Sequence, residues 1–225
     1  MIEQIKIKNN TLLSQILIPR QFNFSRKINL LFGANGVGKS TLIQALLGNK
    51  NYKKQFESKI SGSNPLVYSY IDSIQNAKEL SIKNPHLSYN DFFDPHIIAR
   101  KFDAGELSEG QSIIYTVQEF LYCARQIEDS EHALFLVDEI DSGLSVDNII
   151  WFCDELKQIV DKKENIQFII AFNNYEFCNQ FKTVISMYTG EQIEIDTYED
   201  YKRILLENRK RLLKLRKYNQ FQKFE

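Results

Sequence analysis

The residues Gly33-Ala34-Asn35-Gly36-Val37-Gly38-Lys39-Ser40-Thr41 carry the spacing GxxxxGK[ST], the pattern of a loop that cradles phosphates. Glycines let main-chain N–H groups crowd around an anion with no side chain in the way. The start of a following helix adds partial positive charge. In this pattern Lys39 reaches the β- and γ-phosphates of a nucleoside triphosphate, and Ser40 offers its hydroxyl to Mg²⁺. The candidate nucleotide contacts are Asn35, Gly36, Val37, Gly38, Lys39, Ser40 and Thr41. Lys39 is expected to stand exposed on its loop, contributing little to the core. A second group is Asp138-Glu139, at the end of the apolar run Ala133-Leu134-Phe135-Leu136-Val137. A carboxylate there can hold Mg²⁺, directly or through water, and the next one can polarise an attacking water.

These groups need strands and helices to bring them together. Ile28-Asn29-Leu30-Leu31-Phe32 precedes the loop and Leu42-Ile43-Gln44-Ala45-Leu46-Leu47 follows it, which reads as strand, turn, helix. Ala133–Val137 is a continuous apolar run, suited to a parallel strand covered on both faces, and Ile166–Phe172 reads as another buried strand. Val67–Ile71 reads as another strand. Ser112–Ile127 and Ser145–Lys163 have helical periodicity, with Ser145 as a candidate N-cap. Gly48-Asn49 is a helix stop. Ahead of the loop, Ile2, Ile5 and Ile7, then Leu12-Leu13 and Ile16-Leu17-Ile18, read as short strands with a turn at Asn9-Asn10. Phe22 and Phe24 fall in a further strand. Asn51–Asn64 reads as a polar surface excursion. Residues 72–104 read as mixed and helical, broken at Pro85 and Pro95. Phe181–Met187 and Gln192–Ile195 read as closing strands, and a charged helix runs from Tyr198. The expected fold class is α/β, with a mainly parallel central sheet and phosphates at its carboxyl edge. An N-terminal antiparallel β part, a small helical subdomain and a C-terminal helix complete it.

The 225 residues are 43% hydrophobic and 25% charged, with net charge −1. That suits one domain with a real core and gives no general argument for nucleic acid or acidic lipid. Cys123, Cys153 and Cys178 have no CxxC spacing and are expected to be reduced, buried thiols in a cytoplasmic protein. Residues 1–10 alternate charge with isoleucine, unlike a signal peptide. No apolar run approaches the roughly twenty residues that span a bilayer.

Leu107-Ser108-Glu109-Gly110-Gln111, just before a helix, resembles the LSGGQ signature of the ABC-type ATPases. In that family the signature serine and glycine amide bind a γ-phosphate across a dimer interface, which here implies Ser108, Gly110 and Gln111. Asp141-Ser142-Gly143-Leu144-Ser145 resembles the D-loop. Phe172-Asn173-Asn174-Tyr175-Glu176-Phe177 resembles the switch-histidine segment, with Asn173 where many members have histidine. The Q-loop glutamine, a metal ligand in the family, falls at Asp72 or at Gln75. The resemblance covers residues 1–197, with residues 72–127 as the helical subdomain and residues 198–225 as a basic C-terminal helix. It implies ATP and Mg²⁺ as cofactors, metal contacts from Ser40, Asp138 and Gln75, and catalysis by Glu139 and Asn173. It also implies a homodimer that sandwiches ATP.

The stretch from Lys39 to Ser108 is short for a transporter's helical subdomain and carries no coiled-coil heptads. The chain is therefore similar to a minimal stand-alone head of the RecF, SMC and OLD type. The expected function is a soluble ATP switch acting on a partner protein, in DNA repair or antiviral defence, with slow hydrolysis. The alternatives are a transporter's ATP-binding subunit and a non-hydrolysing, ATP-gated module. From Tyr198 onward nine basic residues face four acidic ones, net +5, leaving −6 elsewhere. Tyr201, Leu205, Leu212 and Leu215 share one helical stripe. This helix is expected to pack on the head or to reach nucleic acid or a protein partner.

Overall fold

The computed structural model describes residues 1–52, 54–61, 66–72 and 109–221. Among these, a central sheet runs in the order β5-β6-β7-β3-β8-β9. Its strands are β3 (Ile28–Phe32), β5 (Leu66–Asp72), β6 (Ala133–Asp138), β7 (Ile166–Ala171), β8 (Thr183–Ser186) and β9 (Gln192–Glu194). All the pairings are parallel except β8 with β9. A second, antiparallel sheet has the order β2-β1-β4, from β1 (Ile2–Ile7), β2 (Gln21–Asn23) and β4 (Phe56–Ile60).

Ala133–Val137 is apolar without a break, and Ile166–Phe172 is apolar except at Gln167, because both faces of the central sheet are buried. Leu30, Phe32, Phe135, Val137, Phe168 and Ile170 point to one core, where α3 (Glu109–Gln126) and α4 (Val146–Lys162) pack. Leu31, Leu134, Leu136, Ile169 and Ala171 point to the other, shared with α2 (Lys39–Leu46) and the antiparallel sheet. Phe120 of α3 meets Phe135 edge-on, with ring centres 5.3 Å apart. The three cysteines are buried and free. Burial pushes their thiols up, to about 11 for Cys123 and about 12 for Cys153 and Cys178.

Three expectations are corrected. Leu12–Ile16 is a helix, α1, not a strand. The Thr11 hydroxyl accepts from the Ser14 amide and the Ser14 hydroxyl from the Thr11 amide. This capping box starts a turn that buries Leu13 and Leu17 together. The polar stretch after α2 contains β4, paired along β1; main-chain bonding, not apolar alternation, makes it a strand. Phe181 ends a short helix, α5 (Tyr175–Phe181), instead of opening β8. The remaining long helix is α6 (Tyr198–Phe221). Its Tyr201 and Asn208 are buried, and Ile204 and Leu205 pack on the first core, so its start lies on the head. The side chains of Leu212 and Leu215 lie outside the described ones. No helix among the described residues is long and apolar enough to cross a membrane.

Gln167, fully buried on β7, joins the two sheets. Its Oε1 accepts from the Ile2 amide at 2.9 Å, and its Nε2 donates to the carbonyls of Ile2 at 2.8 Å and Ser25 at 2.6 Å. Gln167→Leu fills the same space but strands two buried main-chain groups and a part-buried one. It should lower the unfolding free energy by about 3 kcal/mol in urea titration, since each orphaned group costs about 1–3 kcal/mol.

Candidate functional site

The parallel register places the chemistry at one edge. Leu31 pairs with Ala171 and Ala171 with Asp138, so β3, β7 and β6 end side by side. Asp72, at the end of β5, pairs with Asp138. Each of β3, β7 and β6 runs into a turn that carries a candidate residue.

After β3 the loop turns through Gly36 at φ 78° and Gly38 at φ 102°, conformations that favour glycine. Gly38 caps α2 with its main chain, and a Cβ there would come within 2.5 Å of Leu17 on the α1 side. The Val37 side chain is buried and its amide donates to Ala34 at 3.2 Å, so this residue shapes the loop. Asn35 and Gly36 are exposed at the tip. The Ala34 amide donates to the Tyr188 hydroxyl at 3.2 Å, a support the sequence did not signal.

Lys39, expected to be exposed, is buried, with 2% of its side chain accessible. It opens α2, and its Cβ direction carries the side chain back under the loop. Its Nζ donates to the Gly33 carbonyl at 3.0 Å and to Asn173 Oδ1 at 2.9 Å, and lies 3.2 Å from the Glu139 carboxylate. One residue on, Ser40 Oγ donates to Asp138 Oδ1 at 2.9 Å. A hydroxyl and a carboxylate held together at the mouth of an anion cradle are hard oxygen donors, and they fit Mg²⁺. Thr41 follows, half-buried in the first turn.

Glu139 sits at φ 56°, in the left-handed region, where a side-chain-bearing residue is strained by about 1–2 kcal/mol. Its amide donates to the Ala171 carbonyl at 2.8 Å, tying this turn to the end of β7. Asp141, in the turn after it, caps the switch segment. Its Oδ2 accepts from the amide of Asn173 at 2.7 Å and from that of Asn174. Burial pushes the Asp141 carboxyl up, the two amides pull it back, and the Glu139 charge adds to the rise. Its Oδ1 is buried with no hydrogen bond among the described residues. On the far side the Tyr201 hydroxyl of α6 donates to the Asn173 carbonyl.

Of the signature residues, Gly110 and Gln111 lie in the first turn of α3; Ser108 and Gln75 lie outside the described residues. Gly143, in the D-loop stretch, lies against Ile113 of α3, where a Cβ would come within 1.9 Å of Ile113 Cδ1. Phe22 and Phe24, read as strand residues, are buried in the core. Lys39, Ser40, Asp138, Glu139 and Asn173 lie together at this edge of the sheet. Asp141 and Tyr201 were not among the candidate site residues: in the sequence Asp141 reads only as the start of the D-loop-like stretch, and Tyr201 only as part of an apolar stripe.

No protein-family model matches the chain, and no curated protein matches it. Solved structures do. A dimeric ATP-binding cassette in a post-hydrolysis state, bound to ADP and Pi, is similar with TM-score 0.55 and 11% identity, over 88% of this chain and 100% of that one. A nucleotide-free ATP-binding cassette from an ABC transporter is similar with TM-score 0.53 and 17% identity, over 93% and 97%. The cbiO1 protein of Clostridium perfringens, part of the ABC transporter complex cbiONQ, is similar with TM-score 0.53 and 16% identity, over 97% and 98%. At these identities the shared property is the fold. This chain has the fold of an ATP-binding cassette, a P-loop NTPase architecture.

The raised Asp141 carboxyl sets a pH dependence. The folded chain binds its proton more readily than the unfolded one, whose value is near 3.8. Between the two values the folded state carries more protons, so this contribution to stability falls as pH rises. Asp141→Asn keeps an acceptor for the two amides and removes the charge. In urea unfolding the variant should be the more stable at pH 7, and its advantage should shrink toward pH 4. An advantage independent of pH would refute the assignment.

Proposed function

We propose that this chain is an ATP-binding, Mg²⁺-dependent ATPase of ABC type, which closes as a homodimer on ATP and acts as a soluble switch on a partner protein. The observation that carries the reading is the buried Lys39 ammonium, held at once by the loop, by Glu139 and by Asn173. A fixed charge there, in a glycine-shaped cradle at a helix start, suits the β- and γ-phosphates. Ser40 and Asp138 would hold Mg²⁺, with Gln75 as a further ligand, and the ion would neutralise phosphate charge. Asn35, Gly36, Gly38 and Thr41 line the cradle. Glu139 takes a proton from water as the water attacks the γ-phosphorus, and ADP leaves. Ser108, Gly110 and Gln111 of the second copy would meet the γ-phosphate at a helix start.

Asn173 stands beside Lys39, where its amide can contact the γ-phosphate, but it can carry neither a proton nor a charge. Losing one charge-assisted contact to a transition state costs roughly a hundredfold in rate. Hydrolysis is therefore slow, and the ATP-bound dimer lasts long enough to signal. The exposed basic residues of α6 are the docking place for a protein or nucleic-acid partner, with DNA repair or antiviral defence as the setting. A second reading, the ATP-binding subunit of a transporter, is favoured by the transporter cassettes among the similar structures. Purification from the native host separates the two, since a membrane permease accompanies the chain only under the second.

Lys39→Met keeps the volume of the aliphatic stem and removes the charge. Calorimetry should show ATP affinity reduced by about a hundredfold or more, as loss of a buried charge-assisted contact requires. Unchanged affinity would sink the assignment. Glu139→Gln keeps the shape of the site and removes the base. Light scattering at tens of micromolar protein should show its mass double on adding Mg-ATP, and a persistent monomer would refute the shared site.

A further inference from the structure

We propose that Tyr201 is a positioning residue of the ATPase centre, through which the C-terminal helix sets the rate of hydrolysis. The inference rests on the ATPase reading above and adds a residue outside all of the sequence motifs.

The argument begins with the main chain of Asn173. Its own amide donates to Asp141 Oδ2 at 2.7 Å, which pins the peptide plane before its Cα. The plane after its Cα is pinned at both ends. The Asn174 amide donates to the same carboxylate oxygen, and the Asn173 carbonyl accepts from the Tyr201 hydroxyl. With both planes held, φ and ψ of Asn173 are held too, and the side chain is aimed at Lys39 Nζ, 2.9 Å from Oδ1. Asp141 alone holds only the amide side. Tyr201 supplies the remaining contact.

The Tyr201 hydroxyl is itself fixed. Its ring lies 5.4 Å from Phe32, the last residue of the strand before the phosphate loop, and 5.4 Å from Tyr175, the first residue of α5. Tyr198 stacks one turn earlier at 6.1 Å. The residue is 9% exposed. The first turn of α6 is tied down by Thr197, whose carbonyl accepts from the Tyr201 amide at 3.1 Å and whose hydroxyl donates to Asp200 at 2.7 Å. From this anchor the helix continues to Phe221, and Lys202, Arg203, Arg209 and Lys210 are exposed along it. It works as a lever, with its short arm on the carbonyl of the switch residue and its long arm offered to a partner.

Tyr201→Phe keeps the ring and its packing and removes only the hydroxyl. The expected result is a kcat for ATP lowered about tenfold, the scale of one neutral hydrogen bond. KM should stay within twofold, and thermal unfolding should be little changed. In an Asn173→Ala background the same substitution should have no further effect, because its route to the phosphate is gone. An unchanged kcat overturns the proposal and leaves the ATPase reading standing. So does a tenfold loss that persists in the Asn173→Ala background, which marks a general packing effect. A parent protein that neither binds nor hydrolyses ATP overturns both.

Discussion

Lys39 carries a positive charge into a place where 2% of its side chain meets water, and that charge sets the terms for its surroundings. An ammonium removed from water costs several kcal/mol unless other groups replace its hydration. Here a carbonyl, an amide oxygen and a carboxylate do so, from three separate turns. Under the proposed ATPase reading, those acceptors stand where phosphate oxygens would. The need to satisfy the lysine draws Glu139 and Asn173 to the same point.

The sheet makes that convergence achievable. Parallel strands end at one edge, and the order β6-β7-β3 puts the switch strand between the strand of the acidic pair and the strand of the phosphate loop. Residues more than a hundred positions apart become neighbours through main-chain register alone. The Glu139 amide bonded to Ala171 locks the turns after β6 and β7 to each other. The left-handed backbone at Glu139 is the local cost of that lock.

Much of this was legible in the sequence because the signals were local. Ala133–Val137 and Ile166–Phe172 read as doubly covered strands, as they are through most of their length, and the glycine spacing of the loop stated its own geometry. The failures were contextual. Leu12, Leu13, Ile16 and Leu17 fit a strand or a helix about equally; the Thr11–Ser14 capping box decided for helix. The strand β4 exposes Glu57, Ser58 and Lys59, so no alternation marked it. Lysine is ordinarily a surface residue, and nothing before the fold showed that Lys39 turns under its loop. Tyr201 belonged to an apolar stripe, and its hydroxyl acquired a role only when α6 met the end of β7.

Gly143 carries a consequence for how the molecule moves. With no Cβ, it lets Ile113 press against the turn after β6, and even one methyl group would collide there. Packed atoms transmit displacement without needing a polar bond, because interiors resist compression. The start of α3 and the turn that bears Asp141 are therefore in direct steric contact. A displacement of α3 toward that turn would press on it, and Asp141 joins the turn to the amides of Asn173 and Asn174. Steric exclusion at one glycine thus supplies a mechanical linkage that adds to the electrostatic one.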